Sequence, residues 1–85
     1  MKLTTKSEYT ILALLHMARK GQGGYTKIEE ICKTCDIPKK YLELLFSSLR
    51  QNRYIQTRRG TQGGYKLARP SDKITIAEII RLMDG

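Results

Sequence analysis

The side chains of this sequence that could do chemistry are two thiols, one imidazole and a dense run of cations. Cys32 and Cys35 are spaced C-x-x-C. Three positions apart on a helix, both sulfurs can meet one metal ion or each other. Two ligands do not close a zinc site, and the one histidine, His16, falls on a different segment. A reactive dithiol sits at a helix N-terminus, where its pKa is lowered. This pair falls at the C-terminal end of its expected helix, so its expected role is structural. His16 stands among apolar residues and is expected to pack or to face a second copy of the chain. No nucleophile, base and orienting group can be assembled from the other side chains, and no carboxylates are paired, so no enzyme is expected.

The cations point elsewhere. The net charge is +8 and it is unevenly placed. Between Pro38 and Pro70 stand Lys39, Lys40, Arg50, Arg53, Arg58, Arg59, Lys66 and Arg69, against a single acid, Glu43. Eight cations against one acid leave +7 there, and the remaining 8 cations and 7 acids leave +1. A localised patch of this density is the electrostatic footprint of a nucleic-acid surface. Membrane attraction would want the cations opposite an apolar stripe on one long helix. Here they spread over a helix, a strand and a turn, so no membrane partner is expected. The tetrapeptide QGGY occurs twice, at Gln22–Tyr25 and Gln62–Tyr65, and only the second copy follows two arginines, Arg58 and Arg59. Neither copy has the flanks of a phosphate-binding loop.

These residues need elements to hold them. Eighty-five residues, 40% hydrophobic, make one domain over 1–85 with a single small core. No apolar run approaches the roughly 20 residues of a membrane span. The N-terminus, MKLTTKSEY, is polar from the start, so no signal peptide is expected. Two cysteines are too few for a disulfide scaffold, which points to the cytoplasm. Thr-x-x-Glu occurs at Thr5, Thr26 and Thr75, each reading as a capping box with Glu8, Glu29 and Glu78. Helix 1 is expected from about Lys6 to Gly21, apolar on most sides. Helix 2 is expected from about Lys27 to Cys35, followed by a turn at Asp36, a residue that tolerates left-handed backbone. Helix 3 starts at Pro38, with Leu42, Leu45, Phe46 and Leu49 as its buried stripe. The period then changes to two: YIQTR and YKLAR flank RGTQGG as a hairpin with a glycine-rich turn. A fourth helix follows over Ile76–Met83.

This order is a winged helix-turn-helix, a mainly α fold with a small β-hairpin. Helix 3, over 38–51, is expected in a DNA major groove and the wing, over 58–66, in a minor groove. Lys39, Lys40, Glu43, Ser47 and Arg50 form the face of helix 3 away from its leucines. Glu43 is informative, because an acid weakens phosphate attraction but can accept from cytosine N4. The other reading of Glu43 is an intrahelical pair with Lys39 or Lys40. Tyr41 either touches a backbone phosphate or packs. On the wing, Arg58, Arg59 and Lys66 supply charge, and Gly60, Gly63 and Gly64 leave the tip thin enough to enter a groove.

Residues and order together resemble the bacterial Rrf-two (IscR/NsrR/CymR-like) family of winged helix-turn-helix transcription regulators. The resemblance runs through MKLTTKSEYTILALLHMA, IEEICKTCDIPKKYLELLFSSLRQNRYI and RRGTQGGYKLARPSDKITIAEII, nearly the whole chain. Its most specific part is YLE-LF-LR followed by RG--GGY-L. The resemblance implies a sequence-specific regulator of transcription, often a repressor, binding double-stranded DNA at a palindromic operator as a homodimer. Several members sense redox state, nitric oxide or iron–sulfur supply through a cluster, and others bind none. Cluster-binding members carry three cysteines after the fourth helix and then a long dimerisation helix, and this sequence stops at Gly85 before both. The resemblance therefore implies no cofactor in these residues, and an iron–sulfur cluster and a homodimer only in a longer form. There Glu8 would correspond to an acidic cluster ligand supplied to the partner subunit; within this chain it is expected to cap helix 1. Without a dimerisation helix, an apolar patch around Ile11, Leu14 and Leu15 is expected to be exposed. Two other readings stand beside this one: a winged-helix protein-interaction domain, and the DNA-binding part of a redox or iron–sulfur sensor whose sensing half is missing.

Overall fold

The computed structural model of the protein describes residues 3–21 and 24–85, so Gln22 and Gly23 of the first QGGY copy lie outside the described residues. In chain order the elements are α1 (Thr5–Arg19), α2 (Ile28–Cys35), α3 (Lys39–Gln51), β1 (Ile55–Arg58), β2 (Gly64–Leu67), a 3-10 turn at Ser71–Lys73, and α4 (Ile76–Asp84). The two strands are antiparallel, with Ile55 opposite Leu67 and Arg58 opposite Gly64. This is the expected winged helix-turn-helix order. No helix among the described residues is long and apolar enough to cross a membrane.

The core forms where the 3.6-residue period places it. Leu42, Leu45, Phe46 and Leu49 of α3 are buried against Ala13, Leu14 and Met17 of α1, Ile31 of α2, and Ile79 and Met83 of α4. The Phe46 ring meets Tyr65 of β2 with centroids 4.7 Å apart, so one aromatic pair joins α3 to the hairpin. Asp36 is left-handed at φ 57 and ψ 53, which turns the chain between α2 and α3.

Two of the three expected capping boxes are not formed. Helix α1 is capped by Thr4, whose hydroxyl accepts from the Ser7 N–H. Its reciprocal acid is not Glu8 but Asp84, at the far end of the chain. Asp84 accepts from Thr4 Oγ1 at 2.6 Å and from Ser7 Oγ at 3.1 Å. An anion at a helix N-terminus is favourable, and this one also ties α4 to α1. Helix α2 has no side-chain cap, because Thr26 pairs its backbone with Tyr65 instead, N–H to carbonyl in both directions at 2.8 Å. The third box forms as expected, Thr75 and Glu78 each reaching the other's backbone. Helix 1 also ends slightly early, with Lys20 as its C-cap and Gly21 at φ 84 after it.

Arg69 holds the domain's far side together. Its Nε and Nη2 donate to the carbonyls of Arg53 and Asn52, just past the C-terminus of α3. Its guanidinium lies 4.2 Å over the Tyr54 ring and 3.6 Å from Glu78. Tyr54 in turn donates to Glu78 Oε1 at 2.6 Å. A cation beside a helix C-terminus satisfies carbonyls that the helix itself leaves open.

Candidate nucleic-acid interface

The buried stripe of α3 dictates what the helix shows to solvent. At about 100° per residue, Lys40, Leu44 and Ser47 fall opposite Leu42, Leu45 and Leu49, while Lys39, Glu43 and Arg50 fall on one flank. All six are exposed. Lys39 Nζ lies 2.8 Å from Glu29 Oε2 on α2. That hydrogen bond holds the Glu29 carboxyl below the usual carboxylate range and the Lys39 ammonium above its usual value. Both groups are solvent-exposed, so the pair adds little stability and breaks easily. Glu43 forms no pair with Lys39 or Lys40 and no ion pair among the described residues. Tyr41 packs edge-on against Tyr9, with centroids 5.5 Å apart.

The wing is built on contacts that the sequence does not spell out. A Cβ on Gly63 would collide with the Arg58 carbonyl, and one on Gly64, at φ 144, with the Thr26 carbonyl. The fold itself therefore needs these two glycines. Gly60, at φ 102, has open space around it, and its carbonyl accepts from Lys27 Nζ at 3.1 Å. Arg58 and Arg59 are exposed and Lys66 is half-buried.

Pairing sorts the basic stretch. Lys39 is held by Glu29, and Arg69 by Glu78 and the α3 carbonyls. Lys40, Arg50, Arg53, Arg58, Arg59 and Lys66 have no carboxylate partner among the described residues. Sequence reasoning passed over two neighbours of these cations. Leu44 is 70% exposed on the outward face of α3, and being apolar off the buried stripe was its signal. Tyr25 carries no sequence signal, yet its ring faces both Arg58 and Lys66.

The remaining candidates lie away from this surface. His16 Nε2 stands 2.8 Å from Glu30 Oε2, with Lys20 3.2 Å from the same oxygen, at the α1–α2 junction. The His16 contact, then Lys20, holds the Glu30 carboxyl below its ordinary range. Cys32 and Cys35 are free and half-buried, and burial pushes both thiols up, which disfavours the reactive thiolate. Cys35 Sγ donates to the Leu12 carbonyl at 3.7 Å. Glu8 is exposed and caps nothing. Among the described residues no three His, Cys, Asp or Glu side chains are grouped to hold a metal ion.

A helix-turn-helix followed by a two-stranded antiparallel hairpin and a further helix defines the winged helix-turn-helix class. The family model described as "Iron-dependent Transcriptional regulator", Rrf2, matches residues 3–85, and the chain belongs to that family of regulators, not to an enzyme family. It is 41% identical to the HTH-type transcriptional regulator IscR of Cereibacter sphaeroides over 99% of this chain and 56% of that protein. It is 36% identical to the HTH-type transcriptional regulator CymR of Bacillus subtilis over 100% of this chain and 62% of that one. The solved structure of CymR, the global cysteine regulator of B. subtilis, superposes with a TM-score of 0.93 at 35% identity, covering 100% of this chain and 66% of that one. T. potens IscR gives a TM-score of 0.92 at 33% identity, covering 100% and 62%. The chain thus spans about half the length of the curated relatives it matches.

Proposed function

We propose that this chain is the sequence-specific double-stranded-DNA-binding domain of a cytoplasmic transcription regulator, acting as a repressor on a palindromic operator. The observation that carries the reading is the pairing pattern. Within the basic stretch, two cations are tied into the protein, and six on or beside α3 and the hairpin have no carboxylate partner among the described residues. Unpaired cations on a helix-turn-helix and its wing are the groups that neutralise phosphates. Lys40, Leu44 and Ser47 then face the major groove, Glu43 supplies an acceptor at its edge, and Arg59 carries the wing into the minor groove.

An apolar groove supports the homodimer. Ile11, Leu14, Leu15, Ile74, Ile76 and Ile79 line it between α1 and α4, and Leu15 and Ile76 are exposed. In a longer form, a helix after α4 from either subunit fills this groove, and any iron–sulfur cluster takes its cysteines from that added part, with Glu8 as its candidate ligand from this chain.

The test is a gel-shift series at rising salt with this chain on genomic operator fragments. With four to six phosphate contacts, log K falls with log salt at a slope of roughly −4 to −5. A slope near zero would leave the protein-interaction reading standing in its place.

A further inference from the structure

Arg58 and Lys66 stand on the same face of the hairpin. The register sets Arg58 opposite Gly64 and Lys66 opposite Gln56, which makes the two cations diagonal neighbours. Like charges at that spacing repel, and no carboxylate pairs with either among the described residues. What both of them meet is an aromatic face. Lys66 Nζ lies 5.0 Å and Arg58 Cζ 5.7 Å from the centroid of the Tyr25 ring. The chain directly after the ring is itself held to the hairpin. The next residue, Thr26, is locked to Tyr65 by two backbone hydrogen bonds, and Lys27 Nζ donates to the Gly60 carbonyl at the wing tip. Two residues directly after Tyr25 are thus tied to the hairpin, which sets the Tyr25 ring where it meets both cations.

We propose that Tyr25 is a positioning residue, whose ring gathers Arg58 and Lys66 into one paired cationic clamp for a DNA backbone phosphate. The negative face of the ring offsets part of the repulsion between the two cations and limits the rotamers each can take. An aromatic ring cannot neutralise a charge as a carboxylate does, so both cations keep their full attraction for an external anion. This inference rests on the DNA-binding reading, and the experiment separates the two.

The measurement is fluorescence anisotropy of this chain on one operator duplex, repeated across a salt series. Tyr25→Phe keeps the ring and should bind within about twofold of wild type. Tyr25→Leu should bind roughly three- to tenfold more weakly, with the salt slope shallower by about one unit. In an Arg58→Ala/Lys66→Ala background, Tyr25→Leu should change nothing further. Fluorinated phenylalanines at position 25 keep the shape while draining the ring's negative face, so affinity should fall in step with fluorination even if Tyr25→Leu folds poorly. Full affinity across the fluorinated series, or an undiminished Tyr25→Leu effect without the two cations, overturns the clamp and leaves DNA binding intact. Salt-independent binding by the wild-type chain overturns both.

Discussion

Arg59 and Lys66 both bear charge on the wing, yet they stand in different surroundings. Arg59 is exposed at the tip and faces no ring, while Lys66 lies against Tyr25 on a paired strand. An extended arginine entering a groove reads its width and base edges, whereas a lysine on the flank meets phosphate as a point charge. Arg59→Ala should therefore cost on the order of 1–3 kcal/mol on the specific site. Lys66→Ala should weaken specific and random DNA alike, and by less. Parallel titrations on operator and scrambled duplexes check this, and an equal loss on both duplexes for Arg59→Ala would reduce Arg59 to a phosphate contact. At this scale the charges were legible in the sequence, but their separation was not. Arg69 reads there as one more cation of the patch, and only the folded chain shows it spent on the end of α3.

At the scale of elements, Glu78 ties the start of α4 to the segments before and after the hairpin. One carboxylate oxygen caps α4 through Thr75, and the other accepts from Tyr54 and faces Arg69. The Tyr54 hydrogen bond, then the Thr75 backbone N–H, holds the Glu78 carboxyl below its ordinary range. The folded-state pKa is depressed, so the stabilisation is fully present above the unfolded value of about 4.3 and is lost as pH falls through the folded one. Glu78→Gln should lower the melting temperature at pH 7, and the difference from wild type should shrink as pH falls below about 4. Thermal melts across pH 3–8 measure this, and a difference that stays constant with pH would show that the carboxylate charge is not involved. The Thr75 box was legible because its partners are local. The pattern at Thr5 misled because Asp84, folded back from the end of α4, supports the Thr4 register instead.

For the whole molecule the open question is association. The expected patch at Ile11, Leu14 and Leu15 is revised: Leu14 is buried by α4, and Leu12, Leu15 and Ile76 are the exposed large apolar residues of α1 and α4. Exposed side chains of this size favour contact with a partner. The 85-residue chain should sediment as a monomer or weak dimer and bind a palindrome far more weakly than a form extended past α4, because only a dimer ties the second half-site to the first. Analytical ultracentrifugation beside titrations on full and half sites checks it. A tight dimer of these 85 residues, binding the palindrome as well as the longer form, would show that the extension is not the dimerisation element.

The sequence alone determined the elements, their order and the charge of the surface. Those follow from rules acting within a few residues: apolar spacing along α3, a period of two through the hairpin, Asp36 at a left-handed turn, and eight cations gathered between Pro38 and Pro70. Tertiary structure alone decided which of those groups are free to act. Thr26 leaves its expected cap to pair with Tyr65, and that pairing brings the residue after the first QGGY copy against the tyrosine of the second. Gly63 and Gly64 are glycines because neighbouring carbonyls occupy the space a side chain would need. Lys39 and Arg69 are claimed by acids from other elements, while Arg58 and Lys66 face the Tyr25 ring. The reason is physical: a helix or hairpin is specified by neighbours along the chain, but a charge is satisfied by whatever the fold brings within about 4 Å of it.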